Sequence, residues 1–241
     1  MKKSESYVNF SSAEEKARYV RTMFDRISPR YDLVNRVMTF GQDVGWRKMA
    51  IRQTATPEGG RLLDIACGTG DLAFAGLKRS PSLVAAADFS LEMVKLGHQK
   101  HSGHAAVQFL GADGLNMPFC DNSFHSSVTG FSMRNVVDVD AFIAEMARVV
   151  KPGGKVVILE ITPVKNRILG PLVRTFFHKI VPRIGAILGG DKEAYTYLPQ
   201  SVDIFLEADE LQARMEQNGL HDIQYKKLNF ATVALHWGTV K

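Results

Sequence analysis

The feature that most constrains this chain is a regular alternation of short apolar segments with amphipathic segments between residues 60 and 161. Short apolar runs are typical of strands buried on both faces of a parallel sheet, and strands that alternate with helices are joined by right-handed crossovers. The alternation therefore predicts a doubly wound, mostly parallel sheet. Its strands are predicted at 61–65, 83–87, 107–110, 126–131 and 155–161, with helices at 71–79, 90–100 and 139–150.

The end of the chain adds a last helix and two more strands. Residues 151–154 read Lys-Pro-Gly-Gly, which predicts the end of a helix and a turn into the fifth strand. Asp209 begins the last predicted helix and Gly219 closes it. The final segments, 222–229 and 232–238, are joined by a connection short enough only for a hairpin, so they are antiparallel. The sequence thus predicts a seven-stranded sheet with an antiparallel last strand.

The length of 241 residues suits one domain with additions, since a domain takes roughly 150 residues. Residues 1–59 precede the alternating pattern, and helical spacing at 11–27 and 31–49 predicts a helical cap on the substrate side. Residues 60–241 then form the main domain. Within it, 162–206 is far longer than an ordinary connection, so it is an insertion before the last helix.

Composition excludes several classes of protein. The chain is 45% hydrophobic and 23% charged, which is ordinary for a globular protein and excludes a disordered or membrane-spanning chain. Cys67 and Cys120 lack metal-ligand spacing, and no secretory signal is visible, so we expect reduced thiols in a cytoplasmic protein. His98, His101 and His104 are regularly spaced, but no acid or cysteine joins them, so we expect no metal.

The strongest local signal is the loop after the first strand, which reads Asp-Ile-Ala-Cys-Gly-Thr-Gly-Asp over residues 64–71. Gly68 and Gly70 allow a tight turn and close approach to a ligand, and the following helix offers free N–H groups. The same glycines match the dinucleotide fingerprint, but a single match of that kind is weak. Asp64 would repel a pyrophosphate, whereas it suits an ammonium or sulfonium ligand.

Two further acids follow the next two strands. Asp88 ends the second strand, where an acid typically accepts hydrogen bonds from ribose hydroxyls. Asp113 follows the third strand, where it or its neighbours would meet an adenine edge, although helix capping or turn formation would also explain either acid. The order of acid, glycine loop, second acid, third acid and Pro-Gly-Gly resembles class I S-adenosylmethionine-dependent methyltransferases.

Several longer motifs resemble the ubiquinone/menaquinone biosynthesis C-methyltransferase family over nearly the whole chain. The first is Tyr-Asp-Leu-Val-Asn at 31–35 with Trp46-Arg47, and the second is Arg-Val-Val-Lys-Pro-Gly-Gly at 148–154. Phe-Ser-Met-Arg-Asn-Val at 131–136 and the paired tyrosines Tyr195 and Tyr197 are also similar. Asp43 replaces a histidine of the family and Ser132 replaces a glycine, departures that concern the identity of the quinone.

The resemblance implies methyl transfer from S-adenosylmethionine to a ring carbon of a polyprenylated quinol, with demethylmenaquinol favoured and the methoxybenzoquinol of ubiquinone synthesis open. The resemblance also assigns residues to each ligand, eight to the cofactor and three to the substrate. It places eight residues on the cofactor side: Asp64, Gly68, Thr69, Gly70, Asp88, Phe89, Asp113 and Gly114. The three substrate-side residues are Tyr31, Arg134 and Asn135.

Chemistry indicates what the substrate-side residues do. A hydroquinone becomes a carbon nucleophile when a ring hydroxyl loses its proton, so the site needs a base and donors for the developing oxyanion. Arg134 and Asn135 suit the oxyanion, although a structural turn with an ion pair is the alternative interpretation. Arg134 is too basic to act as the base itself. A water relay to Asp25, Asp32 or a histidine stays open.

The insertion has two interpretations. Between Ile161 and Gly190 it contains no Asp or Glu, yet it has five Lys and Arg residues and several aromatic and aliphatic ones. We expect either a lid that binds an isoprenoid tail and touches an anionic membrane surface, or a helix pair covering the sheet edge. The protein would then be cytoplasmic, and peripheral on the inner face of the membrane in the first case. Expected partners include a second copy of the chain or other quinone-synthesis enzymes.

Rival functions make different predictions. A nicotinamide-dependent dehydrogenase would not explain Asp64 or the paired motifs. A nucleic-acid methyltransferase is suggested only by the formal charge of +5, and no interleaving of aromatic and basic residues supports it, so we expect no nucleic-acid partner. A subunit that only scaffolds other enzymes would not need intact cofactor positions. A methyltransferase for another lipid-like or small aromatic substrate is the most serious alternative.

Overall fold

The computed structural model describes residues 10–167 and 169–241, and these build a seven-stranded sheet in the order β3-β2-β1-β4-β5-β7-β6. Strands β1 to β5 pair in parallel, whereas β7 runs antiparallel to both β5 and β6. The predicted mostly parallel sheet with an antiparallel last strand is confirmed. The strands are β1 Arg61–Ile65, β2 Leu83–Asp88, β3 Val107–Gly111, β4 Phe124–Gly130, β5 Val150–Ile161, β6 Leu220–Leu228 and β7 Val233–Val240.

Helices cover both faces of the sheet and one of its ends. Several begin with an ordinary side-chain cap; for example, Ser12 accepts a hydrogen bond from the Glu15 N–H, and Ser90 accepts one from Met93. The helices are α1 Ala13–Ile27, α2 Tyr31–Met38, α3 Gln42–Gln53, α4 Asp71–Gly76, α5 Leu91–Lys100, α6 Val139–Arg148, α7 Leu169–Thr175, α8 Val181–Ile184, α9 Lys192–Asp203 and α10 Ala208–Gln217. None of those in the described ranges is long and apolar enough to cross a membrane.

Three apolar clusters hold these layers together. One lies between the sheet and α6 and α10, around Ile143 and Leu211, and a second lies under α3 and α4, around Leu62 and Ala73. The third joins α1 and α2 to α9 and includes Val34 at its centre. Each fully buried apolar side chain of this kind stabilises the fold by about 1.5–3 kcal/mol. The N-terminal helices and the insertion therefore share a core.

Some element boundaries differ from the sequence prediction. The helical segment predicted at 31–49 is two helices, because Phe40 and Gly41 adopt positive φ angles of 51° and 74° and break it. The predicted helix 139–150 ends at Arg148, and β5 already begins at Val150. The Lys-Pro-Gly-Gly run thus lies inside the strand, where the pairing of β4 with β5 shifts register. A local irregularity absorbs the proline, which cannot donate to a sheet ladder.

The insertion contains α7, α8 and α9, and its helices pack on one another and on α2. Two π-helical turns, Phe176–Ile180 and Gly185–Gly189, follow α7 and α8. Tyr195 packs against the second turn so closely that a Cβ on Gly185 would come within 2.0 Å of its ring. The segment 162–206 therefore extends the helical layer formed by residues before β1.

Candidate active site

The loop between β1 and α4 forms one end of a small cavity at the carboxyl ends of the parallel strands. Gly68 has a φ of 57° and its N–H donates to Asp88 Oδ2 at 2.7 Å. Gly70 has a φ of 88°, and an added Cβ would lie 2.6 Å from Cζ of Phe109. The glycine at 70 is thus required by the backbone conformation and by the packing of Phe109.

Asp88 is held by backbone donors at the end of β2. Its Oδ2 accepts from Gly68, and its Oδ1 accepts from the Ser90 N–H at 2.8 Å. Burial raises the pKa of Asp88 to about 6, although the backbone hydrogen bonds oppose that rise. Each oxygen accepts from one backbone N–H and keeps further acceptor capacity, so the carboxylate can also bind hydroxyl groups.

The small cavity has a volume of about 170 Å³ and gathers five of the eight predicted cofactor residues, namely Gly68, Asp88, Phe89, Asp113 and Gly114. Phe89 is 38% exposed, and the Arg21 guanidinium lies 5.2 Å from the centroid of its ring. A Cβ on Gly114 would come within 2.3 Å of the Phe142 ring, so only glycine fits there. These five positions form one site.

The other three predicted cofactor residues lie outside this lining. Asp64 is fully buried, and its Oδ2 accepts from the Ala73 N–H in α4 at 2.8 Å. Burial raises its pKa to about 8, and its Oδ1 has no hydrogen-bond partner among the described residues. Thr69 donates its hydroxyl to Asp32 at 2.8 Å, and Gly70 packs on Phe109 as above. Asp64 is therefore placed to hold the start of α4, and it is not among the residues that line the small cavity.

A larger cavity of about 400 Å³ lies between the N-terminal helices, the insertion and the carboxyl end of the sheet. The predicted substrate residues Tyr31, Arg134 and Asn135 all line it. Burial raises the pKa of the Tyr31 phenol, while the nearby cations Arg47 and Arg134 oppose that rise. Most other lining groups are apolar and come from α1 and the insertion, among them Met23, Ile27, Leu172, Val173, Phe176, Phe177 and Val181.

Arg134 is fixed by a buried ion pair, as the alternative interpretation predicts, and its partner is Glu160. Its Nη1 donates to Glu160 Oε1 at 2.6 Å and to the Phe131 carbonyl at 2.7 Å. Glu160 is 1% exposed and also accepts from the Ile161 N–H at 2.8 Å. The sequence did contain a signal for Glu160, because an acid at the carboxyl end of the apolar strand β5 indicates a buried partner or a ligand. The ion-pair interpretation of Arg134 is therefore correct, and its role toward the substrate stays a prediction.

The two cavities adjoin. Four residues line both of them: Phe24, Tyr31, Phe131 and Asn135. Asn135 is 7% exposed, and its Nδ2 lies at 3.5 Å from the Phe131 carbonyl, a long hydrogen bond. A group bound in the small cavity and a group bound in the large one would thus meet beside Tyr31 and Asn135.

A cluster of six alternating charges, here called the ionic cluster, ties α2 and α3 to the glycine loop and α5. Lys100 bridges Asp32 at 2.8 Å and Asp71 at 2.7 Å. Asp43 stands out because it is the only carboxylate among the described residues lining the larger cavity. Asp32 and Asp25 do not line that cavity, nor does any histidine of the described ranges. The ionic cluster consists of Asp32, Arg36, Asp43, Arg47, Asp71 and Lys100.

Other singled-out residues have structural surroundings. His101 stacks on Phe74 with ring centroids 3.9 Å apart, and His104 contacts the same ring edge-on at 4.6 Å. No group of potential metal ligands occurs among the described residues. Burial raises the pKa of the Cys67 thiol well above its usual value, which keeps it un-ionised. Tyr195 and Tyr197 are buried and also line the larger cavity.

Known proteins are similar to this chain over nearly its whole length. A demethylmenaquinone methyltransferase from Roseiflexus castenholzii is 41% identical over 230 residues, which cover 93% of this chain and 94% of that protein. A ubiquinone/menaquinone biosynthesis C-methyltransferase from Desulfotalea psychrophila is 37% identical and covers 91% of this chain and 89% of its own length.

Solved structures share the fold at low sequence identity. An S-adenosylmethionine-dependent methyltransferase from Thermotoga maritima has a TM-score of 0.63 at 18% identity, covering 92% of this chain and 100% of that one. Another from Aquifex aeolicus has a TM-score of 0.59 at 16% identity, covering 81% and 89%. The profile of one family matches residues 11–240, and the chain therefore belongs to the ubiE/COQ5 methyltransferase family.

Proposed function

We propose that this chain transfers a methyl group from S-adenosylmethionine to a ring carbon of a polyprenylated quinol, with demethylmenaquinol as the acceptor. The observation that carries the proposal is the pair of adjoining cavities, one with a fixed carboxylate and one large and apolar, which share Tyr31 and Asn135. Family membership and the printed names of the relatives support the same reaction.

The small cavity fits an adenosyl group. Asp88 has acceptor capacity left for ribose hydroxyls, and the exposed Phe89 ring offers a face for a purine. Asp113 holds the next turn by accepting from the Leu115 N–H at 2.9 Å, and Gly114 leaves its backbone open to the cavity. When bound, S-adenosylmethionine supplies an electrophilic methyl group.

Asp64 and Thr69 would then act on the loop and not by direct contact. Asp64 holds the start of α4 through Ala73, and Thr69 reaches Asp32 of the ionic cluster. Both contacts fix the backbone around Gly68, and orientation of reactants is worth as much as about 7–11 kcal/mol in well-aligned systems. We propose that these two residues shape the cofactor loop.

The large cavity fits an aromatic head group with an apolar tail. Arg134 and Asn135 offer donors for negative charge on a ring oxygen, and Glu160 holds Arg134 in place. Once that oxygen is ionised, the adjacent ring carbon is nucleophilic. Overall, the ring C–H is replaced by C–CH₃, and one proton is released. Asp43 would receive the released proton through water, because it is the one carboxylate among the described residues that line this cavity.

The insertion provides the apolar wall of the cavity, which supports binding of an isoprenoid tail. Leu172 lines the cavity yet is 67% exposed, and Ile187 in the same segment is 77% exposed. We propose that this acid-free face touches an anionic membrane surface, where its Lys and Arg residues would contribute about 1 kcal/mol each. Weak, reversible binding to anionic vesicles at low salt tests this; no binding would contradict it.

Two measurements test the main proposal. Calorimetry should show that S-adenosylhomocysteine binds and that nicotinamide adenine dinucleotide does not. Labelled S-adenosylmethionine should then transfer its methyl group to reduced demethylmenaquinone, with reduced demethylated methoxybenzoquinone offered in parallel and lipid present. The ratio of products identifies the quinol. Binding of S-adenosylhomocysteine without labelling of either quinol would assign the same fold to another lipid-like or aromatic acceptor.

A further inference from the structure

Arg47 of α3 is a second buried cation on the larger cavity. The residue is 8% exposed, and its Cζ lies 5.3 Å from the centroid of the Phe131 ring. Its Nε is buried and has no hydrogen-bond partner among the described residues. A buried donor without an acceptor destabilises the fold. The buried Nε of Arg47 is therefore available to donate to an oxygen acceptor of a bound ligand.

The ionic cluster does not account for Arg47 by itself. Its Nε lies 3.5 Å from Asp43 and 3.5 Å from Asp71, which is too far for a strong hydrogen bond. Arg36 binds the same two carboxylates more closely, at 2.6 and 3.1 Å. Arg36 is also 38% exposed and lines neither cavity. Both arginines help to neutralise these acids, and of the two only Arg47 also lines the larger cavity.

Arg134 is also a buried cation that lines the larger cavity. Its residue is 9% exposed, and its Nε is also buried without a partner among the described residues. It holds the Phe131 carbonyl, whereas Arg47 stacks on the Phe131 ring. Both cations also act on the Tyr31 phenol, since each lowers the pKa that burial raises. Their electrostatic fields therefore converge beside the place where the two cavities meet.

We propose that Arg47 and Arg134 bind the two opposite ring oxygens of the quinol, one cation to each oxygen. The inference rests on the proposed function and adds the recognition of the second oxygen. A planar guanidinium is suited to this task because it presents several N–H donors and remains charged. Two-point binding would orient the ring and favour acceptors with two para oxygens over those with one.

The test compares two ligands and three proteins. Binding of reduced 1,4-naphthoquinone, which has two ring oxygens, and of 1-naphthol, which has one, is followed by quenching of Trp46, a lining residue of the cavity. The wild type should bind the two-oxygen ligand about tenfold more tightly, since hydrogen bonds to charged groups are strong. Arg47→Met should reduce that ratio to less than about threefold. Arg36→Met, the matched control, should keep the wild-type ratio although it removes the closer partner of Asp43 and Asp71.

Each outcome decides the inference. If Arg47→Met retains the wild-type ratio, or if Arg36→Met loses it equally, Arg47 only belongs to the ionic cluster and the inference is wrong. If Arg47→Met does not fold, Arg47→Lys replaces it in the test, because lysine keeps the charge. A fall of at least half in the ratio of the two affinities supports the inference, and an unchanged ratio overturns it. If the wild type binds neither ligand and methylates no quinol, the proposed function itself fails. If the wild type methylates demethylmenaquinol while the Arg47 variants keep the ratio, only this inference fails.

Discussion

Removal of the charge on Glu160 should lower both the stability of the fold and the catalytic activity. In Glu160→Gln, the side chain keeps its shape, but Arg134 loses the carboxylate that lies 2.6 Å from its Nη1. The two side chains are 1% and 6% exposed, so water cannot replace the lost charge. Removal of one partner of a buried pair costs about 3–5 kcal/mol, and a hydrogen bond to a charged group contributes about 1.5–3 kcal/mol. Since glutamine retains one acceptor, we expect a loss of about 2–3 kcal/mol in the free energy of unfolding.

Equilibrium unfolding in urea measures this change, and a double-mutant cycle with Arg134→Met assigns it to the pair. The double variant should be more stable than the sum of the single variants predicts, by more than about 1 kcal/mol. Glu92→Gln is the control, because Glu92 and Lys95 form an exposed pair with side chains 49% and 64% accessible. That change should alter the free energy of unfolding by less than about 0.5 kcal/mol.

Two results would show that the buried pair does not position Arg134. If Glu160→Gln behaves like the surface control, or if the two single changes are additive, the buried pair does not hold Arg134. Activity gives a second reading, because a misplaced Arg134 should lower kcat while the affinity for S-adenosylhomocysteine stays within about twofold of the wild type.

Three further changes have defined outcomes. The pKa of Asp88 is raised to about 6, so its carboxylate becomes protonated near that pH and the small cavity loses an acceptor. Calorimetry should therefore show that the affinity for S-adenosylhomocysteine falls below about pH 6. An affinity that does not change with pH would contradict this role of Asp88. Gly114→Ala places a Cβ within 2.3 Å of the Phe142 ring, so we expect a loss of about 1–3 kcal/mol in urea unfolding together with weaker cofactor binding, and an unchanged stability would show that the ring moves freely. His236 is fully buried, and its pKa is lowered to about 4 from 6.5, so its neutral form favours the fold above pH 6.5 and that stability is lost as pH falls toward 4. The free energy of unfolding should fall by about 2 kcal/mol between about pH 7.5 and pH 5 from this group, a slope that His236→Gln should lack.

The sequence predicts the sheet and the floor of the small cavity because both depend on local order. Apolar runs fix the strands, and parallel strands bring their carboxyl ends to one edge. Residues at or shortly after the ends of strands, such as Gly68, Asp88 and Asp113, therefore meet in space. The antiparallel β6–β7 hairpin follows from the same logic, since a short connection allows only one direction.

Tertiary partners could not be predicted from local spacing. Asp64 has the expected position in the chain, but its side chain turns under α4 and accepts from Ala73. Glu160 could not be predicted as the partner of Arg134, because Arg134 lies 26 residues away on another element. The importance of Asp43 and Arg47 depends on how α3 packs beside the larger cavity, which no periodicity fixes. The N-terminal cap at 1–59 stays a prediction as a separate unit.

The most direct test of the central claim is a mass-spectrometric methyl-transfer measurement. S-adenosylmethionine with a trideuterated methyl group is incubated with reduced demethylmenaquinone and the protein, and the product is fragmented to locate the label. The proposed ionisation of a ring oxygen predicts a trideuteromethyl group on the ring carbon next to a hydroxyl-bearing carbon. Label on a ring oxygen, or an unlabelled quinol beside a protein that binds S-adenosylhomocysteine, would contradict the account.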